Sequence, residues 1–275
     1  MSRGNLRSIR KRIDSTESTM QITKAMQMVA TARLNKIQKQ WKGIKDFSFY
    51  TQTILKHFPF VEDSFYTQDR AGTLILAITP DMGLAGSFPS DLIKEALTIK
   101  QNTEDFKGFL VIGSKGYFSL KNEGILLTRT NLYDIPKVDH AEFLAEDLFE
   151  IMRENNISKV KVLYGKFKNA LVQLPSTFDL LPIKKEHLEI DERYEYEPST
   201  EIVFESAAYL YVLSKLYQFL FETKLSELYA RQNAMKNATD NASDLIEELT
   251  LEYNKQRQTA ITQELIEIIN GAKMQ

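Results

Sequence analysis

The hydrophobic pattern differs between the two ends of the chain and its middle. Neither glycine nor proline occurs from Asn5 to Lys42 or from Ser199 to Asn270. At about 1.5 Å per residue, uninterrupted helices over these ranges would span roughly 57 and 108 Å, far more than globular helices usually do. The pattern therefore predicts one long helix at each end of the chain, and the second length is an upper bound.

The apolar residues of the first predicted helix recur with heptad spacing. Nine of the twelve a and d positions from residue 6 to residue 44 are apolar, and Thr16, Thr23 and Gln27 occupy the other three. The nine are Leu6, Ile9, Ile13, Met20, Ala30, Leu34, Ile37, Trp41 and Ile44. We call the a and d positions of a terminal helix its seam.

The last predicted helix has a seam of the same kind. Its positions follow one another in alternating steps of four and three residues, and the apolar ones are Leu228, Met235, Ala242, Ile246, Leu249, Tyr253 and Ala260. Gln232, Thr239 and Gln256 weaken this seam. Because two heptad helices stand at the two ends of one chain, we expect them to pair as an antiparallel coiled coil.

The stretch "MQITKAMQMVATARL", residues 20–34, is apolar on more sides than one seam needs. Three apolar stripes run along it, and they consist of Ile22, Met26 and Val29; of Ala25, Met28 and Ala32; and of Met20, Ala30 and Leu34. A helix that is apolar nearly all round is usually enclosed. We therefore expect a partner beyond the second helix of the coiled coil.

The middle of the chain alternates short β-rich runs with helical segments. The expected strands are 73–79, 108–113 and 159–165, and the expected helices are about 90–101 and 139–154. This alternation predicts a small Rossmann-like α/β layer with a partly parallel sheet. The predicted domains are an N-terminal coiled-coil helix, an α/β domain and a C-terminal coiled-coil helix, over residues 1–58, 72–198 and 199–275.

An aromatic cluster opens the last helix. It comprises Phe204, Tyr209, Tyr211, Tyr217, Phe219 and Phe221. Large aromatic side chains at helical spacing bury a large apolar area, so we expect this cluster to pack the helix on the α/β layer.

Composition restricts the chemistry of the chain. It has 43% hydrophobic and 26% charged residues, a formal net charge of −2, and no cysteine. The absence of cysteine excludes disulfides, thiolate metal sites and cysteine nucleophiles, and it fits a reducing compartment. No apolar run approaches the roughly 18 residues of a membrane span, and the basic start has no apolar core behind it, so we expect no secretory peptide.

Charge is distributed unevenly. Residues 1–45 carry eleven Lys or Arg against two acidic residues, whereas residues 199–275 carry seven against eleven. A basic and an acidic helix attract each other. The basic segment also leaves open a nucleic-acid-binding alternative, although the rest of the chain is acidic and contains no recognised nucleic-acid motif.

The best catalytic candidate is the turn "TPDMGLAGSFP", residues 79–89, which follows a predicted strand. Gly83 and Gly86 could present backbone N–H groups to a phosphate. The turn lacks the Lys-Ser/Thr pair of a P-loop and the third glycine of a dinucleotide fingerprint, so we favour a tight strand-to-helix turn over a nucleotide site.

No other pattern suggests an enzyme. His57, His140 and His187 show no metal-ligand spacing. The acidic pairs Glu146–Asp147 and Glu247–Glu248 are typical of solvated helix faces. We therefore assign no catalytic, cofactor-binding or metal-binding residue, and we expect no cofactor.

Two long terminal motifs and one turn carry a family resemblance. They are "QITKAMQMVATARL" near the start, "NAMKNATDNASDLIEELTLEYNKQRQTAITQELIEIINGA" near the end, and "DMGLAG" in the middle. They resemble the gamma subunit of F-type ATP synthases, the central rotor stalk. That family usually has a basic residue where Met82 stands and an asparagine where Pro89 stands, so the local role of the turn is left open. The cysteine pair of the chloroplast relatives is absent.

The resemblance implies a function without bond chemistry. The terminal helices would form a shaft inside a ring of alternating alpha and beta subunits, and the α/β layer would lie outside it, near the epsilon subunit and the membrane c-subunit ring. The shaft would rotate and couple transmembrane ion flow to ATP synthesis or hydrolysis. It would work as a peripheral protein at the cytoplasmic face of the bacterial plasma membrane, without nucleic acid and without a membrane span of its own.

The resemblance also implies contact residues. Lys24 and Met26 fall where the shaft meets the acidic lever loop of the beta subunit. Four residues of the last helix match family positions that hydrogen-bond a loop of the ring, and they are Arg257, Gln258, Thr262 and Glu264. Beyond them lies an apolar stripe with two flanking isoleucines, which would turn within an apolar collar of the ring. The stripe consists of Ile261, Leu265 and Ile268, and the flanking residues are Ile266 and Ile269. A stand-alone coiled-coil scaffold is the alternative.

Overall fold

The computed structural model describes residues 2–70, 72–185 and 195–272. Within these ranges two long helices and a mixed α/β layer confirm the predicted fold class. The helices are α1 (Ser2–Lys56), α2 (Phe88–Gln101), α3 (Ser114–Leu120), α4 (Val138–Glu154) and α5 (Thr200–Ala272). The strands are β1 (Thr73–Ile78), β2 (Phe106–Ile112), β3 (Ile125–Arg129), β4 (Lys159–Phe167) and β5 (Gln173–Leu181).

The five strands form one sheet in the order β3-β2-β1-β4-β5. β1 pairs in parallel with β2 and with β4, and β2 pairs in parallel with β3, whereas β5 is antiparallel to β4. All six residues of β1 are buried, as expected for a central parallel strand that is covered on both faces. The predicted partly parallel sheet is therefore confirmed.

Helices cover both faces of the sheet. On one face, the apolar cluster around Leu76 and Ile78 includes residues of α4 and of the first part of α5. On the other face, the cluster around Ile75 and Ala77 includes Phe88, Leu92 and Ala96 of α2. The side chains of one strand alternate between the two clusters because successive residues of a strand point to opposite faces.

Three elements were missed in the sequence. α3 has seven residues and contains Gly116, which is too short and too poor a pattern for periodicity to reveal. β3 is a partly buried strand at one edge of the sheet. β5 contains Pro175 and is the other edge strand, which is where proline is tolerated in a sheet.

Most of the aromatic cluster at the start of α5 packs on the α/β layer as expected, and Phe221 is the exception. Phe204, Tyr211 and Phe219 belong to the core on the α4 face of the sheet. Phe221 is fully buried but packs elsewhere, stacking on Trp41 of α1 with ring centroids 6.2 Å apart. Tyr209 is 36% exposed, but its ring still lies 6.1 Å from that of Phe149 in α4.

The chain divides into two compact units. The first unit consists of residues 1–30 and 232–275, and the second of residues 31–231. Each includes part of both terminal helices, so the three-segment division made from the sequence stays a prediction. Within the described ranges, no helix combines the length and the apolar character that crossing a membrane requires.

Candidate partner-binding surfaces

In the first unit, α1 and α5 pair in antiparallel fashion. The Asn5 side-chain amide donates to Oε1 of Gln256 at 2.8 Å, and the hydroxyls of Thr23 and Thr239 are 2.8 Å apart. As the position rises along α1 it falls along α5, which is the predicted orientation.

The seam of α1 follows the predicted heptad phase. Every seam position between residues 6 and 30 is buried or half-buried, including the three polar residues Thr16, Thr23 and Gln27. In α5, Met235, Ala242, Leu249 and Ala260 are buried with the same spacing. The helices therefore keep one contact line although polar residues occupy part of it.

Hydroxyl pairing explains how threonine is tolerated in this seam. Thr23 Oγ1 is 3.0 Å from the Met20 carbonyl, and Thr239 Oγ1 is 2.8 Å from the Met235 carbonyl. Either hydroxyl can donate to the other while the second donates to its own helix, so both protons find acceptors. A buried polar group costs little once it is hydrogen-bonded.

The side of α1 away from the seam is apolar and exposed. Ile22, Met28 and Val29 expose 61%, 59% and 55% of their surface. We call these three residues the outer face. A surface helix usually turns its apolar residues toward the core and its polar residues outward. Here hydroxyls lie in the seam and large apolar groups lie outside, which is typical of a surface that a partner covers.

The first pair of predicted contact residues borders this outer face. Lys24 is exposed, and Met26 is half-buried beside the seam. The three methionines of the stretch thus point in three directions, with Met20 in the seam and Met28 exposed.

The second set of predicted contact residues lies farther along α5. Arg257, Gln258, Thr262 and Glu264 are exposed. The Thr262 hydroxyl donates to the Gln258 carbonyl at 2.9 Å, within the helix. Since Thr239 is level with Thr23, Arg257 lies about 27 Å along α5 from that level, at about 1.5 Å per residue. The structure therefore places the two sets at separate positions on the first unit.

The end of α5 is apolar and exposed. We call residues 261–270 the tip. Its large apolar side chains are more than 45% exposed, and they are Ile261, Leu265, Ile266, Ile268 and Ile269. Contiguous exposure of this kind marks an interaction surface more often than a free helix end.

The turn 79–89 presents hydrogen-bond acceptors where a phosphate needs donors. Oδ1 of Asp81 accepts from the N–H and hydroxyl of Ser114 and from the N–H of Asn131, each at 2.9 Å. The carbonyls of Met82 and Gly83 face the Arg231 guanidinium. A proline and Asp91 also stand in the first turn of α2. This arrangement supports the tight turn rather than the nucleotide site.

Two of the three histidines lie among the described residues, and the structure shows one hydrogen bond for each. The His57 carbonyl accepts from the Tyr196 hydroxyl, and Nδ1 of His140 accepts from the Lys137 N–H. His187 lies outside the described residues. In the part of the chain that the structure describes, no three His, Cys, Asp or Glu residues are grouped as metal ligands.

One acidic pair was misinterpreted. Glu146 is exposed, but Asp147 is buried and binds Arg129 with two hydrogen bonds of 2.8 Å. These hydrogen bonds, with the charge of Asp147, raise the pKa of Arg129. The prediction of a solvated face was wrong for Asp147, because the helical spacing of α4 turns this residue toward the sheet.

The sequence also gave no warning of a buried charge cluster on α5. Lys224, Glu227 and Arg231 are all buried, and Glu227 forms ion pairs with both cations at 3.2 and 2.7 Å. Charges at spacings of three and four residues usually indicate a solvated helix face. Their burial becomes visible only in the folded structure, where other elements cover them.

The chain is similar to known proteins. A family model described as ATP synthase matches residues 5–274. The ATP synthase gamma chain of Mycoplasmopsis synoviae is 34% identical, covering 98% of both chains, and that of Salinibacter ruber is 34% identical, covering 98% of this chain and 97% of its own. In a structure of the central stalk and c-ring of the Tetrahymena thermophila mitochondrial ATP synthase, one chain is 26% identical with a TM-score of 0.65, over 79% of this chain and 99% of that one.

Proposed function

Because the chain belongs to the ATP synthase gamma-chain family, we propose that its first unit is the rotating shaft of a rotary ATP synthase. The whole chain is a non-catalytic central-stalk subunit, and its partners are the alpha and beta subunits of the catalytic ring, the epsilon subunit and the membrane c-subunit ring. The catalytic sites belong to the beta subunits.

One observation carries this proposal beyond family membership. The first unit places Thr23 and Thr239 in its seam and leaves Ile22, Met28 and Val29 outside. Each large apolar side chain that moves from water into an apolar contact contributes roughly 1.5–3 kcal/mol. A partner that encloses the outer face would gain this free energy, and a free coiled coil would not.

A shaft couples ion flow to ATP chemistry through unequal contacts. An asymmetric pair of helices inside a nominally threefold ring presents a different surface to each catalytic site. A change of rotor angle can shift the affinity of a site only if the contacts differ between its conformations. Methionine suits such a moving contact because its unbranched side chain adapts to different packing.

The shaft makes polar contacts with the ring at two separate places. Lys24 and Met26 contact the acidic lever loop of a beta subunit, where the exposed ammonium group of Lys24 supplies the complementary charge. Farther along α5, Arg257, Gln258, Thr262 and Glu264 hydrogen-bond a loop of the ring. Hydrogen bonds of charged groups are directional, so this second set holds only at particular rotor angles.

The tip makes a contact of the opposite kind. Its isoleucine and leucine side chains interact through apolar burial and dispersion, which do not demand one orientation. An apolar collar of the ring can therefore hold the tip while it turns. The α/β layer of the second unit is the part that meets the epsilon subunit and the c-subunit ring, at the cytoplasmic face of a bacterial plasma membrane.

Co-purification tests the proposal. An affinity-tagged full-length chain, expressed in its own cell, should bring down several larger subunits with magnesium-dependent ATP hydrolysis. The same tag on a chain with Ile22, Met28 and Val29 changed together to serine should bring down less of this activity. A chain that purifies alone would contradict the proposal and would favour the stand-alone scaffold.

A further inference from the structure

The turn 79–89 lies at the point of the sheet where ligands bind in other open α/β folds. The strand order β3-β2-β1-β4-β5 reverses between β1 and β4. In such sheets a ligand usually occupies the crevice outside the carboxyl ends of the two strands on either side of this switch point. The turn follows β1 directly, so what fills the crevice decides what the turn does.

Polar side chains of α5 reach the carboxyl end of β4. The N–H of Gly165 donates to the Thr223 hydroxyl at 3.0 Å, and the Ser226 hydroxyl donates to the Gly165 carbonyl at 2.9 Å. The N–H of Phe167 donates to Glu222 at 3.1 Å. A Cβ at position 165 would lie only 2.4 Å from the Phe88 ring, so glycine is needed for this close packing.

Arg231 of α5 reaches the turn after β1. Its Nη2 donates to the carbonyls of Gly83 and Met82 at 3.1 and 3.3 Å, and its Nε donates to the Gly83 carbonyl at 3.3 Å. Its Nη1 pairs with Glu227 at 2.7 Å. The side chain is 7% exposed. A buried guanidinium is tolerated only when its donors are paired, and here the turn supplies the acceptors.

The first residues of the turn form hydrogen bonds of their own, independent of Arg231. Asp81 binds the backbone after β2 and the backbone after β3, and Lys115 donates its N–H to the Pro80 carbonyl at 3.1 Å. Beside these contacts, the side chains of Met82 and Leu84 expose 56% and 60% of their surface. Leu84 also has a φ of +61°, a conformation that non-glycine residues adopt only when their surroundings hold them there.

We propose that Arg231 is a positioning residue, which clasps the turn 79–89 to α5 and fixes the angle of Met82 and Leu84 about that helix. The guanidinium occupies the switch-point crevice in place of a ligand. The consequence for coupling, that the turn rotates with α5 as one body, rests on the proposed function. The clasp itself does not, since all its residues belong to the second unit.

A single spin label on the full-length chain tests the clasp. The chain has no cysteine, so Met82→Cys gives one labelling site. In the parent chain the label should give a mostly immobilised spectrum. Arg231→Ala should remove most of that component. Guanidinium chloride at a non-denaturing concentration should restore it, because the ion fits between Glu227 and the two carbonyls, and urea at the same concentration should not.

Two controls separate the clasp from general loosening. Arg33→Ala removes a guanidinium that pairs with Asp134 at 2.8 Å and does not touch the turn, so the label at position 82 should stay immobilised. A label at Leu171→Cys, at the exposed end of the β4–β5 hairpin, should have the same mobility with and without Arg231. If Arg231→Ala does not fold, Arg231→Gln keeps one amide donor and should give an intermediate spectrum.

This experiment tests only whether Arg231 holds the turn 79–89 against α5. Unchanged mobility at position 82 in Arg231→Ala, or recovery with urea as complete as with guanidinium, would overturn it. The measurement needs only the isolated chain, so its failure would leave the co-purification test of the proposed function unaffected.

Discussion

The first and second units differ in how they distribute polar and apolar residues between core and surface. In the second unit, the large aliphatic side chains of β1 and β2 are fully buried and charged groups form ion pairs around them. In the first unit, threonine hydroxyls face each other in the seam while isoleucine, methionine and valine lie outside. The same residue types therefore stabilise the fold where they are buried and form a partner-binding surface where they are exposed.

The largest expected effect comes from one substitution made in both units. Ile78→Ala in β1 should lower the free energy of unfolding by about 2–5 kcal/mol, since it leaves a cavity at a fully buried position. Ile22→Ala on the outer face removes the same atoms from water and should change it by no more than about 0.5 kcal/mol. Chemical denaturation of the isolated chain measures both, and equal losses would erase the contrast between the units.

Next in size is the effect of charge beside the outer face. Met26→Lys should impair the coupling of ATP turnover to ion pumping while assembly is largely kept, because it puts a poorly solvated cation at a position that the partner is proposed to enclose. Met26→Leu, which nearly conserves volume, is the matched control and should behave like the parent. Proton or sodium pumping by reconstituted vesicles, compared with ATP turnover, is the measurement. Normal pumping by the lysine variant would mean that Met26 is not at a moving contact.

A smaller effect should distinguish the directional contacts from the tip. Glu264→Ala or Arg257→Ala should lower steady-state ATP turnover, because each removes a hydrogen-bonding group of an angle-specific contact. A chain that ends after Asn270 keeps the tip, whose apolar contact is weakly directional, and loses none of the polar contact residues, so it should rotate almost normally. Single-molecule rotation of reconstituted complexes compares the three variants. Turnover equal to the parent in both point variants would refute the assignment of the polar residues.

The smallest effect concerns a charge that serves the fold of the second unit. Hydrogen bonds from the Thr73 hydroxyl and the Gly72 N–H, together with Lys159, lower the pKa of Asp105 from 3.8 to about 2. A pKa below that of the unfolded chain gives stability that is present above pH 4 and lost as the pH falls toward 2. Asp105→Asn should therefore flatten this part of the stability profile, measured by urea denaturation. Glu104→Gln, an exposed neighbour, should leave the slope unchanged.

The terminal helices could be predicted because heptad spacing depends only on the residues of each helix. Even the polar seam positions Thr16, Thr23 and Gln27 were identified as seam, since the phase is set by the residues around them. Heptad spacing placed Met20, Ala30 and Leu34 in the seam, but the sequence could not decide how the other two apolar stripes of residues 20–34 divide between the seam edge and the outside. The outer face takes residues from both, Ile22 and Val29 from one and Met28 from the other. That choice depends on the phase of α5 opposite them.

The second unit shows the reverse limit. β5 was missed because Pro175 argues against a strand until its edge position is known. Arg231 and Asp147 were missed because their partners, the Gly83 carbonyl and Arg129, are distant in sequence or on another element. Local pattern predicts elements well, whereas contacts between elements require the fold.

Alkylation of one engineered thiol tests most directly that the outer face is a partner surface. Ile22→Cys gives a single thiol, because the chain has no other cysteine, and Lys107→Cys in the second unit gives an exposed control. The rate of alkylation is measured in the isolated chain and in the purified complex. We predict that the thiol at position 22 reacts rapidly in the isolated chain and slowly in the complex. Equal rates at position 22 in the two states would contradict the account.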